Sequence, residues 1–125
     1  MRNVAIGAAT ILLTVSTAWA VDCAKAVTTP DLNECAHKEQ QAVEARLNTT
    51  YQKVLKELGE RAEDNGETRK KLVAAQRAWI KFREADCDAA YQYYAGGTMR
   101  NLVHSGCMQQ RAEQRIKELD AFLGP

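Results

Sequence analysis

A chain of 125 residues with 17 basic and 16 acidic side chains is close to electroneutral. It therefore lacks the basic stripe of a nucleic-acid binder and the field that steers a strongly charged partner. Hydrophobic residues make up 46% of it and only two are prolines, which suits one compact domain without repeats or low-complexity linkers.

The first segment reads as a targeting signal. Arg2 supplies a positive start, Val4–Val15 is apolar, and Ala18-Trp19-Ala20 is a small-x-small cleavage site. The apolar stretch is too short to span a membrane stably, so a signal peptide over residues 1–20, cleaved after Ala20, is expected. The mature chain, residues 21–125, is then a single domain in the bacterial periplasm or secreted, with no membrane span. Ala20-Val21-Asp22 is a poor lipobox for Cys23, so a free protein is expected.

Thr29-Pro30-Asp31 is a helix start, with threonine as N-cap, proline at the first helical position and acid in the first turn. Leu32, Ala36, Val43, Leu47, Val54 and Leu58 then recur at helical spacing, with Tyr51 on the flank. Asp64-Asn65-Gly66 ends this segment, since Asn-Gly readily adopts positive φ. A second helix is predicted from about Glu67 to Ala95, stopping at Gly96-Gly97. Along it Leu72, Trp79, Ile80, Cys87 and Ala90 gather on one side of the wheel, while Lys70, Arg77, Lys81, Glu84, Asp88 and Gln92 fall opposite.

Gln76, Arg83 and Asp86 break this pattern by sitting inside the apolar arc. Buried polar groups need partners, because an unpaired one costs about 1–3 kcal/mol. Arg83 and Asp86, three residues apart, are expected to pair with each other, and Gln76 to reach Asn48 or a carbonyl of the first helix. Together they read as a structural polar clamp that sets helix register, the alternative being the lining of a ligand pocket. Trp79 and Phe82 are assigned to the core.

The segment Tyr91–Arg100 holds Tyr91, Tyr93 and Tyr94 before the glycine turn and Thr98, Met99 and Arg100 after it. Tyr91 and Tyr93 differ by about 200° around a helix, so at least one tyrosine is exposed. Tyrosine and arginine are favoured hot-spot residues, and these six are the candidate protein-binding epitope. The last helix is predicted from about Met99 or Asn101 to Leu123, with Met108, Ala112, Ile116, Leu119 and Leu123 facing inward. With no strand alternation, the fold class is all-α: an antiparallel bundle of about three long helices.

All four cysteines, Cys23, Cys35, Cys87 and Cys107, follow the signal segment. An even count without CxxC spacing, in a small exported chain, reads as two disulfides rather than a metal site. More than one pairing is possible. A reversal near Gly97 brings Cys87 and Cys107 level, which favours Cys87–Cys107 and leaves Cys23–Cys35. His37 and His104 have no nucleophile and acidic orienter at readable spacing. No metal, cofactor or catalytic residue is expected, and the chain is read as non-enzymatic.

Asp22-Cys23, Asn33-x-Cys35, Leu47-Asn48-x-x-Tyr51, Gln76-Arg77-Ala78-Trp79-Ile80-x-Phe82-Arg83, Asp86-Cys87, Gly96-Gly97, Cys107 and Arg111 together resemble the lysozyme inhibitor LprI-like N-terminal domain family. The resemblance implies an exported, helical, cysteine-stapled domain whose namesake lipoprotein is regarded as a lysozyme inhibitor; the weak lipobox here departs from it. The reading favoured is a protein-binding module, an inhibitor of lysozyme or a related cell-wall hydrolase. The alternative is a structural or accessory envelope protein with no hydrolase affinity.

Overall fold

The structure, a computed structural model, describes residues 20–60 and 66–124. Residues 1–19 of the expected signal segment (1–20) and the Asp64-Asn65 part of the first turn lie outside the described residues. The described chain forms three helices and no strand: α1 (Thr29–Glu60), α2 (Glu67–Tyr93) and α3 (Arg100–Phe122). None of them is long and apolar enough to cross a membrane.

Local chemistry explains where they begin. The cap of α1 is Thr28, one residue earlier than expected. Its hydroxyl accepts the Asp31 N–H at 3.3 Å and donates to Asp31 Oδ2 at 2.6 Å. Its carbonyl takes the Leu32 N–H at 2.9 Å. The reciprocal Thr28–Asp31 pair is close to a capping box, and it decides the start over the neighbouring threonine. Gly66 precedes α2 at φ 76°, a left-handed conformation that strains any residue with a Cβ.

α3 packs against both other helices, whereas α1 and α2 meet little. Val43, Leu47, Val54, Leu55 and Leu58 of α1, Leu72 of α2, and Ala112 and Leu119 of α3 form the core. It occupies the end where α1 turns into α2. Towards the other end apolar burial thins to Met108 and the fully buried Cys87, and covalent and polar links take over. Cys87–Cys107 ties α2 to α3, and Cys23–Cys35 pins the N-terminal segment to α1. Both pairings are those the hairpin geometry favoured.

One core assignment fails. Phe82 is 55% exposed and Ile80 37% exposed, while Trp79 packs on the flank of the core. The reason is that α2 packs closely on α3 and only loosely on α1. A helix with one close neighbour buries a narrower stripe than the apolar arc of its sequence, and Phe82 falls outside that stripe.

Candidate functional site

The hairpin joining α2 to α3 forms a projecting tip above a braced base. Half-buried Tyr91 meets His104 edge-on at 5.8 Å between centroids, and the Arg100 guanidinium lies 5.0 Å from the centre of its ring. His104 Nε2 is 3.4 Å from Asp88 Oδ1. These side chains link α2 to α3 one turn beyond the Cys87–Cys107 bond. Past them the chain turns on two short backbone bonds, Ala95 N–H to Gln92 O at 3.1 Å and Gly97 N–H to Tyr94 O at 3.0 Å.

The helix thus ends at Tyr93, before the two glycines rather than at them. Neither Gly96 nor Gly97 has positive φ. A Cβ on Gly96 would meet nothing within 4 Å, and one on Gly97 nothing closer than 3.6 Å. The backbone does not demand glycine here; what the pair supplies is a slim tip. Tyr93 is 84% exposed, and Tyr94, Thr98, Met99 and Arg100 are exposed around it. Tyr93 and Tyr94 stand edge to face at 5.1 Å. Of the six sequence candidates, five face solvent and Tyr91 turns inward to support them.

The three polar residues within the apolar arc of α2 find partners on other helices. Arg83, only 6% exposed, donates from Nη1 to Glu44 Oε1 of α1 at 2.6 Å. Asp86 does not pair with Arg83: its Oδ2 accepts from Arg111 Nε at 2.9 Å and Nη2 at 2.7 Å. Gln76, also buried, accepts from Arg115 Nε at 2.9 Å instead of reaching Asn48. An intrahelical pair would have left each side chain pointing along α2, whereas α1 and α3 offer partners of opposite character across the interfaces. The Trp79 ring centre lies 4.7 Å from the Arg83 guanidinium carbon and 5.8 Å from that of Arg115. Gln109 Nε2 adds a bond to the Ala36 carbonyl at 2.8 Å.

Sequence reasoning missed Glu44, Arg111 and Arg115 as partners. Arg111 and Arg115 sit one helical turn apart, flanking the buried Ala112, and that spacing was the available signal. Glu44, beside Val43 on the apolar stripe of α1, gave none. Asp86 also approaches both sulfurs of the Cys87–Cys107 bond, but sulfurs bonded to each other are not thiolate ligands and its carboxylate holds Arg111.

A groove of about 200 Å³ lies between α1 and α2, which meet little. Its α1 wall is Glu44, Leu47, Asn48 and Tyr51, and its α2 wall is Gln76, Ile80 and Arg83. The stretches Leu47–Tyr51 and Gln76–Arg83, far apart in sequence, face each other here.

Comparison with known proteins follows the same span. The family described as lysozyme inhibitor LprI matches over residues 22–119, a range holding both disulfides, the polar layer and the tip. The chain is also 38% identical over 109 residues to a protein of Rhizobium meliloti (strain 1021) described as uncharacterised, covering 82% of this chain and 78% of that one. No solved structure matches the chain.

Proposed function

The chain belongs to the lysozyme inhibitor LprI family, and from that premise we propose that it is an exported, non-enzymatic protein-binding module. Its partner is a lysozyme or related cell-wall hydrolase, and its epitope is the Tyr91–Arg100 tip. The observation that carries this reading is the exposure of Tyr93, Tyr94 and Met99 together on a turn braced by a disulfide and the Tyr91 stack. Aromatic groups carried on a braced turn need little backbone ordering on binding, which favours a hot spot. A lysozyme-type cleft holds two carboxylates. Arg100 supplies a cation for such a cleft, and the tyrosine hydroxyls and Thr98 supply hydrogen-bond donors.

The test is inhibition of a c-type lysozyme by the oxidised chain from Val21 onward, with binding followed in parallel. Saturable inhibition at about micromolar or tighter is expected. Alanine at Tyr93, Met99 and Arg100 together weakens it by about 30-fold or more, since a single hot-spot truncation costs about 2 kcal/mol and such costs are not additive. Gly96→Ala separates insertion from fold: its Cβ meets open space in the free protein, so stability holds while a tip seated in a cleft loses affinity. Affinity unchanged in the triple variant refutes the epitope. No inhibition or binding at all refutes the inhibitor reading and favours an accessory role in the envelope.

A further inference from the structure

The groove between α1 and α2 is separate from the tip, and packing alone does not account for its lining. Leu47 belongs to the core and Tyr51 packs against it, but Asn48 and Ile80 are exposed at the rim. They form no part of the core and leave the space between the helices open. At the base lie two polar side chains each only 6% exposed, Gln76 and Arg83. Arg83 spends Nη1 on Glu44, yet its buried Nε has no acceptor among the described residues. Buried donors of this kind are ordinarily matched; this one has no open surface, so it marks a polar layer beneath the groove rather than a group that a ligand touches.

The chemistry of the walls selects among ligands. Arg83 and Glu44 neutralise one another at 2.6 Å, so an ion entering the groove would lose hydration without an uncompensated opposite charge to receive it. Gln76 is buried and its Oε1 already takes Arg115 Nε, so the polar groups left at the surface are the Asn48 amide and the Tyr51 hydroxyl, both of which donate and accept. They flank a short apolar strip made by Leu47, Ile80 and the Tyr51 ring. Planar two-way hydrogen-bonding side chains around a small apolar floor complement a ring that is apolar on its face and hydroxylated at its edge. The size agrees: a cavity of about 150 Å³ holds a six-membered ring, and the groove offers about 200 Å³.

We infer that the α1–α2 groove is a subsite for one ring of a neutral saccharide, with Asn48 and Tyr51 meeting its hydroxyl or amide edge and Ile80 its apolar face. Arg83 and Gln76 form the polar layer beneath it.

The experiment is amide chemical-shift mapping of the oxidised chain, titrated with the β-1,4-linked trimer of N-acetylglucosamine and, separately, with cellotriose. Saturable shifts confined to residues 44–51 and 76–83, at about 1 mM or below for either sugar, are expected. A response to the first sugar alone places an N-acyl group against Asn48 and Tyr51; equal responses place the ring and its hydroxyls there. Asn48→Ala weakens binding by about 5-fold or more, and Asn48→Trp, which fills the groove from an exposed position, abolishes it with the helical circular dichroism retained. The inference is overturned by the absence of saturable shifts up to about 10 mM of both sugars, by shifts centred on residues 91–100, or by Asn48→Trp binding as the parent does. No hydrolase is present in this experiment, so its outcome is independent of the inhibitor reading.

Discussion

Removing the two disulfides one at a time separates covalent constraint from native order. The Cys87–Cys107 bond closes 20 residues of sequence and the Cys23–Cys35 bond 12. Loop-closure entropy alone then assigns about 3.3 and about 2.8 kcal/mol to them, an almost equal effect. The structure predicts otherwise. Cys87 is fully buried beside Met108, and its loop holds the helix ends that Tyr91, His104 and Asp88 lock together. That loop stays ordered without the bond, so Cys87→Ala with Cys107→Ala loses the full entropic term, plus the packing of one sulfur: about 3–4 kcal/mol. Residues 22–25 and 27–28, by contrast, are all exposed, with only Val21 and Ala26 partly covered. Without its bond that segment is released in the native state too, and the entropy recovered there cancels most of the gain in the unfolded one. Cys23→Ala with Cys35→Ala should therefore cost less than about 1 kcal/mol. Urea denaturation followed by far-ultraviolet circular dichroism measures both, the slope serving as a check on two-state behaviour. Equal losses in the two variants would refute the reasoning, because they would show the N-terminal segment to be as firmly held as the hairpin.

Two further outcomes test the packing. Glu44→Ala leaves the buried Arg83 guanidinium without its partner, whereas Arg83→Met removes the charge and leaves Glu44, whose side chain is 35% exposed, to hydrate. Glu44→Ala should cost about 1–3 kcal/mol and Arg83→Met about 1 kcal/mol or less, an order that chemical denaturation would reverse if the pair were a net stabiliser. Leu119→Ala, at a 1% exposed core position, should cost about 3 kcal/mol, and Phe82→Ala under about 1 kcal/mol; similar losses in the two would return Phe82 to the core.

Helix number and approximate boundaries were readable from the chain because each is a local property, and the cysteine pairing was favoured by the hairpin geometry but settled only by the structure. Threonine and proline at one end, glycine at the other and a repeat near 3.6 residues define a helix without reference to its neighbours. A single reversal near Gly97 then brings Cys87 level with Cys107 by counting alone. Even the exposure of a tyrosine at the tip follows from angles around one helix. The conspicuous position of Gln76, Arg83 and Asp86 is equally local, being a departure from the wheel of α2.

Their partners are not local. Periodicity states the angle at which a side chain leaves its helix but not which helix stands at that angle. Arg83 reaches α1 and Asp86 reaches α3 because α2 packs closely on α3 and is also met, more loosely, by α1. For the same reason Phe82 is exposed, α2 having one close neighbour, and the space between Asn48 and Ile80 stays open. The amino-acid sequence by itself determined three helices, two staples and a slim aromatic turn. The tertiary structure decided which polar groups meet and where a groove remains, since those depend on how three helices divide their faces among one another.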